Sequence, residues 1–501
     1  MNAYLNNLLN RYSMYKVVSG SLTILFVIAL IFSFLGVIAY SPISMVLSLL
    51  VLGFSVWLTS LLFGLIFGVR VHAESSFITA VILFFIMTPT VEVSGLLALL
   101  LVGMIAAASK FILVYKGRHI FNPVAISAFI IGLTGIAYAS WWVATPVLVI
   151  PTFLLGFAIL QKTRRVPSSG TFLGLASVLV IATLVIQGAT LGESLVLWLS
   201  WPILFFSSFM LTEPLTLPGK KWQQIVEAVI VATIFSVPIH IGDFSSSPAF
   251  ALVVGNLVAF AFARRKKVSL VFESQNQLTP STYEFVFKST KPQEFEPGQY
   301  LEITVPHNKD DFRGSRRSFS ITSAPGEGTL RLGIKFYEPS SSFKMALRNL
   351  KKGAVIESTG MSGDFTLPRD RSKPLLYVAG GIGITPFISH LQYLRKQKET
   401  RDITLLYSVS TIDELAYKDI LIASGIKVFV VTRTDATINI PNGWTHINEA
   451  YLTKDIIVKY VPDVARKSAF ISGPPAMIDG VKKQLKLLKV KHIKTDYFIG
   501  Y

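Results

Sequence analysis

The seven-residue turn GGIGITP, Gly380 to Pro386, places three glycines and a hydroxyl between an apolar run, PLLYVA, and a segment with Phe387, Ile388, Leu391 and Leu394 at helical spacing. A strand that enters a glycine turn and leaves as a helix lets backbone amides approach a phosphate, and the helix N-terminus favours its charge. Thr385 and Pro386 are expected at the N-cap and first helical positions. One such turn is weak evidence, because glycines also end helices. A second stretch, RSFS (Arg317 to Ser320), offers a guanidinium fork suited to a phosphate, an aromatic face and two hydroxyls. The chain has no cysteine, which removes disulfides, thiolate chemistry and cysteine-held iron-sulfur clusters, so redox work here requires organic cofactors.

PGQY (Pro297 to Tyr300), RSFS, GDF (Gly363 to Phe365), GGIGITP and GPPAM (Gly473 to Met477) stand in the order and spacing of the ferredoxin-NADP reductase family. The chain resembles that family over about residues 268–501. The resemblance implies FAD and NAD(P)H. It sets Arg317 on the FAD pyrophosphate, Ser318 and Phe319 beside the flavin, and Ser320 near flavin N5 as a catalytic residue. Phe319 replaces the family's usual Tyr, keeping the stacking face and losing the phenol's bond to the ribityl chain. Ser341 and Ser342 of SSSFKMALRNL fall to the other pyrophosphate oxygens, and Gly363 and Phe365 complete the FAD site. Gly380, Gly381, Gly383, Thr385, Gly473, Pro474 and Met477 fall along the NAD(P) cleft. Tyr501 is the C-terminal aromatic residue that covers the flavin until nicotinamide displaces it, with a core or disordered tail as the alternative. YSVSTIDE offers hydroxyls with Asp413 and Glu414 instead of a cation for a 2′-phosphate, which favours NADH over NADPH.

The elements that must position these residues are legible around them. Residues 268–370 alternate apolar and polar between Gly, Pro and Ser turns, the pattern of a small antiparallel β-barrel that would carry FAD. Residues 371–501 add strand-to-turn-to-helix units at ITLLYSVSTIDELAYKDIL and SAFISGPPAMIDGVKKQLKLL, which predict a parallel α/β sheet for NAD(P).

Residues 1–267 are of a different kind. A chain of 501 residues that is 51% hydrophobic is too apolar to be wholly soluble. Runs that could cross about 30 Å of hydrocarbon fall at 17–40, 43–69, 76–90, 94–115, 122–139, 141–161, 171–189, 194–212, 224–241 and 248–263, predicting a polytopic α-helical membrane domain of about ten spans. With the N-terminus inside, the cations Arg11, Lys16, Arg70, Lys110, Lys116, Arg118, Lys162, Arg164, Arg165, Lys220, Lys221 and Arg264 to Lys267 all fall on the inner side. This predicts a multi-pass cell-membrane protein with a cytoplasmic reductase half. The net charge of +18 is accounted for by these flanks and the lipid surface, and nucleic acid is not expected.

LFFIMTPT and FFSSFMLTEPLT, and FNPVAISAF and SSPAFALVV, close and open spans at opposite faces, as in an inverted repeat. Thr-Pro and Ser-Pro as ordinary helix-end punctuation is the alternative. KGRHIFNPVAIS and LTEPLT resemble the D subunit of the Rnf complex and the B subunit of the sodium-pumping NADH:quinone reductase. That resemblance implies a second flavin, FMN or riboflavin, in the membrane, with Thr145 of WVATPV and Thr171 of SSGTF as the nearest matches to the flavin-bearing threonine. NADPH oxidases and ferric reductases share the order of a membrane domain before a reductase. Their haems need paired histidines inside the bilayer, whereas His72, His119 and His240 sit at span ends or loops, so haem is not expected. No metal site is expected either. Electrons would pass to a quinone or an extracytoplasmic acceptor. Ion transport is the alternative, with Glu227 inside a predicted span and Glu74 and Glu213 near span ends.

Overall fold

The computed structural model describes residues 9, 12–68, 71–115, 118–213, 216–242, 244–262, 268–289, 293–307, 311, 315–358, 360–434 and 439–497. The chain divides into two compact units, Met1–Lys266 and Lys267–Tyr501. The cationic junction Arg264 to Lys267 and the C-terminal Tyr501 lie outside the described residues.

In the first unit, α1 (Met14–Phe34), α2 (Pro42–Phe67), α3 (Ala73–Ile86) and α4 (Val93–Ile112) lead to the two-residue strands β1 (Val114–Tyr115) and β2 (Arg118–His119) and to α5 (Pro123–Thr134). A 3₁₀ turn at Pro146–Leu148 opens α6 (Val149–Thr163), followed by α7 (Val166–Ile186) and α8 (Leu191–Trp198). Next comes α9 (Ile203–Met210), bent by 48° from α8, whose last five residues are π-helical. Then come α10 (Lys221–Ser236), β3 (His240–Ile241), β4 (Phe244–Ser245) and α11 (Pro248–Phe262). Among the described residues five helices are long and apolar enough to cross a membrane: Met14–Phe34, Pro42–Phe67, Val93–Ile112, Pro146–Thr163 and Val166–Ile186. The bent pair α8 and α9 makes a sixth if it is one span. At the other expected spans the helices have 12 to 16 residues, short of the roughly 20 that a straight crossing needs. Extended backbone after Ile86 ends α3, and Gly135 at φ +71° ends α5.

The element order recurs within this unit: two long helices, a shortened or broken one, another helix, a two-residue hairpin and a Pro-started short helix. ILFF occurs twice, at Ile82–Phe85 in α3 and Ile203–Phe206 at the start of α9, and the rings of Phe85 and Phe205 lie 5.6 Å apart. The packing recurs too, with α2 on α4 and α4 on α5 matched by α7 on α10 and α10 on α11. Buried small residues allow the close approach: Gly103 faces Ser55, Gly156 faces Ser208, and Gly255 faces Val231 and Glu227.

The second unit holds two six-stranded sheets. The first is antiparallel, in the order β8 (Arg316–Ser320), β7 (Tyr300–Thr304), β10 (Val355–Ser358), β5 (Val268–Gln277), β6 (Thr282–Ser289) and β9 (Thr329–Lys335). An isolated bridge, Ile321 to Leu332, ties its two edges together, and α12 (Ser342–Arg348) packs Phe343 and Leu347 into its core. The second sheet is parallel, in the order β14 (Thr445–Ile447), β13 (Lys427–Val431), β12 (Ile403–Ser408), β11 (Leu375–Gly380), β15 (Ser468–Gly473) and β16 (Ile493–Tyr497). Strands β11 and β15 are buried at every position, as a parallel sheet covered on both faces requires. α13 (Thr385–Lys396) and α14 (Lys418–Ala423) pack on one face, and α15 (Lys454–Tyr460) and α16 (Pro475–Leu487) on the other.

Candidate functional site

From β11 the chain winds outward through β12, β13 and β14, and then returns to β15 on the opposite side of β11. The order reverses between β11 and β15, so the crevice beyond their C-terminal ends is where such a sheet binds its ligand. Gly380 ends β11 and Gly473 ends β15. A side chain at Gly380 would strike Met477 and Pro474, and one at Gly383 would strike the backbone of Ser472 and Gly473. Gly473 itself has φ 152° with Gly380 against it. These glycines are therefore needed for two loops to close on each other, a role the expected phosphate approach alone does not cover. A side chain at Gly381, at φ +53°, would meet nothing within 4 Å among the described residues.

Thr385 differs from its expected place. The glycine turn is a 3₁₀ helix over Gly381–Ile384, so Thr385 is the first residue of α13 and not its N-cap. Its hydroxyl donates to the Ile382 carbonyl at 3.0 Å. Ser472, fully buried at the end of β15, has a hydroxyl without a hydrogen-bond partner among the described residues. Sequence reasoning passed over it, although its place one residue before Gly473 was a usable signal.

On the antiparallel sheet, β8 alternates its side chains. Arg317 is 5% exposed, with its guanidinium 5.2 Å above the Phe343 ring and 3.7 Å from the Asp311 carboxylate. Phe319, half-buried, stacks on Phe343 at 5.9 Å and 25°. Ser318 is exposed. Ser320 donates to Asp496 Oδ2 at 3.3 Å, joining β8 to β16. Ser341 caps α12 by accepting from the Lys344 amide, and the Ser342 hydroxyl accepts from the Asp311 amide at 3.0 Å. Both serines thus already serve local structure.

The PGQY and GDF motifs clasp each other. Tyr300 and Ser362 exchange two backbone hydrogen bonds of 2.9 Å, and Gln299 Nε2 donates to the Gly363 carbonyl at 3.2 Å. Gly363, at φ +111°, lies under the Tyr300 ring. Phe365 corrects an expectation: at 4% exposure its ring sits in an aromatic core with Phe387, His390 and Phe470, so it anchors the loop and presents no open face to a flavin. His390 was not singled out in the sequence. It is fully buried, with one ring nitrogen 2.9 Å from the Phe365 carbonyl and the other 3.1 Å from the Tyr377 hydroxyl. That geometry fits an Nε2–H donor and an Nδ1 acceptor, and burial lowers its pKa to about 3.

Glu414 corrects another expectation. Its carboxylate lies 2.8 Å from Lys335 Nζ and accepts from Ser281 at 2.7 Å, both on the antiparallel sheet side, so it is not offered to a nucleotide ribose. Burial raises its pKa, but the hydrogen bonds from Lys335 and Ser281 outweigh that and hold it below the usual carboxylate value. Asp413 next to it is exposed.

In the first unit, Thr171 spends its hydroxyl on the Pro167 carbonyl at 2.9 Å within α7. Thr145 precedes the Pro146–Leu148 turn, and its hydroxyl is buried without a partner among the described residues.

The family model for the oxidoreductase NAD-binding domain matches residues 377–483. The reductase component of propane 2-monooxygenase from Rhodococcus jostii (strain RHA1) is 28% identical over 209 residues, which are 40% of this chain and 54% of that protein. NADH oxidoreductase HCR of Escherichia coli (strain K12) is 24% identical over 205 residues, 41% of this chain and 59% of its own. The FAD/NAD-binding domain of nitric oxide dioxygenase from Vibrio cholerae O1 biovar El Tor superposes over 46% of this chain and 98% of its own, with 21% identity and a TM-score of 0.39. The chain spans about half the length of the curated relatives it matches. Residues 377–483 are thus similar to an oxidoreductase NAD-binding domain, and about two fifths of the chain is similar to a monooxygenase reductase component and to an NADH oxidoreductase.

Proposed function

We propose that the protein is a membrane-bound flavoprotein oxidoreductase. Hydride from cytoplasmic NAD(P)H reduces FAD, and the electrons pass into or across the membrane, by way of a membrane-bound flavin, to a quinone or an extracytoplasmic acceptor. The observation that carries the reading is the Ser320–Asp496 hydrogen bond. It links the strand bearing Arg317 and Phe319 to the strand beside β15, whose end forms the nucleotide crevice.

The residues fit FAD. Arg317 is a buried guanidinium on the same strand as a stackable ring, and the bridge-closed antiparallel sheet reads as the small barrel that would hold it. Bound FAD would supply the conversion of a two-electron hydride into single electrons. Arg317 binds the pyrophosphate and Ser320 orients the ring. The crevice glycines, with Thr385, Pro474 and Met477, bring the nicotinamide to it. NADH is the favoured donor, as Asp413 suggests and as the name of the Escherichia coli relative supports. Tyr501 would cover the flavin when no nucleotide is bound.

For the first unit the reading is about ten spans with the N-terminus inside, as an inverted repeat like the Rnf D and sodium-pumping reductase B subunits. The recurring element order and the doubled ILFF support it. The second flavin is expected near Thr145. Denatured protein should release more than one flavin per chain, and a single FAD per chain would leave only a membrane-anchored reductase. A second reading, redox-driven ion transport, is favoured by Glu227, which is 1% exposed within α10. Sodium- or proton-dependent turnover in sealed vesicles would select it.

A further inference from the structure

We infer that the break between α8 and α9 is a binding site for the carbonyl oxygen of a lipid-soluble quinone, with Thr152 as its specificity-determining hydroxyl. The inference deepens the proposed function and rests on it, because it names where the acceptor docks.

A cavity of about 20 Å³ lies at the break, lined by Trp198 and Phe205 from the broken pair, by Trp201 between them, by Val143 and Ala144, and by Thr152 of α6. By volume it admits one water-sized group, such as a single carbonyl oxygen. Unused donors belong to residues that line it on two elements. Pro202 has no amide hydrogen, and among the described residues the amides of Ile203, Leu204 and Phe205, the first turn of the eight-residue α9, have no backbone acceptor. All three residues line the cavity. From α6, Thr152 is 3% exposed and its hydroxyl has no hydrogen-bond partner among the described residues. An orphan hydroxyl in apolar surroundings is costly, and a half-helix N-terminus attracts the negative end of a dipole.

The walls decide the class of ligand. Among the described residues no titratable side chain lines the cavity, so a phosphate-bearing group has no counter-charge there, while a neutral carbonyl on a flat apolar ring matches the donors and the indoles. The Trp198 ring is held by its Nε1–H donating to Ser177 at 3.0 Å, and Trp201 rests on Phe235 at 5.8 Å. The overall reaction balances as NAD(P)H + H⁺ + quinone → NAD(P)⁺ + quinol.

The test uses the full-length flavin-loaded protein in membranes, with a short-chain benzoquinone as the probe. Thr152→Val should raise the quinone KM about three- to ten-fold, the loss of one hydrogen bond, with kcat little changed, and Thr152→Ser should restore it. A photoreactive benzoquinone should label the Trp198–Phe205 stretch of the unmutated protein, which keeps the test independent of any folding defect in the variant. An unchanged KM, labelling confined to other segments, or a cavity holding only a water or a flavin would overturn the site. Unmutated protein that reduces a water-soluble dye but no quinone would overturn the site while leaving the reductase reading intact. Failure to reduce the dye would overturn the reductase reading itself, and the site with it.

Discussion

Ser320 and Asp496, separated by 176 positions in the sequence, share a hydrogen bond of 3.3 Å that closes the antiparallel sheet onto the parallel one. Asp496 lies on β16, at the edge of the parallel sheet and next to the strand that ends in Ser472 and Gly473. Ser320→Ala or Asp496→Asn should slow NAD(P)H-driven flavin reduction by about ten-fold or more, as expected when a hydrogen bond to a charged group is lost. Stopped-flow absorbance at the flavin band measures it. A rate equal to that of the parent protein in both variants would remove this pair from the reaction.

Arg317 stands between the Asp311 carboxylate and the Phe343 ring with almost no exposure. Arg317→Ala should purify with little FAD, and Arg317→Lys should keep a fraction, because an ammonium keeps the charge without the planar fork. The flavin-to-protein absorbance ratio decides it, and full occupancy in Arg317→Ala would refute the assignment.

His390 ties the Phe365 loop to Tyr377 on β11, and burial holds its pKa near 3 against an ordinary value of 6.5. The sign follows from a base kept neutral by the fold. Above about pH 6.5 both folded and unfolded states carry a neutral ring, and there is no penalty. Between about 6.5 and 3 the unfolded chain binds a proton that the folded one does not, so stability falls as pH falls. The urea midpoint of the reductase unit should therefore drop more steeply with acid in the parent than in His390→Gln. Parallel slopes would show that the ring does not titrate on unfolding.

Glu414 is engaged by Lys335 and Ser281, whereas Asp413 is exposed beside it. Glu414→Gln should weaken the contact between the sheets and leave the ratio of NADH to NADPH turnover unchanged. Asp413→Ala should reduce that ratio, since the acid would otherwise accept from a ribose hydroxyl and repel a 2′-phosphate. A change of preference in Glu414→Gln alone would reverse this assignment of roles.

The motif residues were legible because each sits at a turn or strand end whose geometry its own type dictates. Gly363 and Gly473 need backbone angles that side chains resist, and the alternation in RRSFS shows a strand. Partners far along the chain were not legible. Nothing near Asp496 or Ser320 points to the other, and His390, between Ser389 and Leu391, reads as one more residue of an amphipathic helix. Glu414 looked free because its partner, Lys335, belongs to another sheet. In the first unit, apolar composition gave the helices but not their lengths, since the hydrophobic pattern continues past Ile86 while the backbone turns extended.

The π-helical turn at Phe206–Met210 bears on how the two copies of the ILFF helix can be compared. A π turn takes up an inserted residue without unwinding the helix around it. From the second Phe of each copy, the following Met is two positions away at Met87 and four away at Met210. The π turn takes up one of these two added positions and the extended backbone at Met87 leaves the other outside its helix, so any alignment that forbids gaps inside helices loses the correspondence at that point.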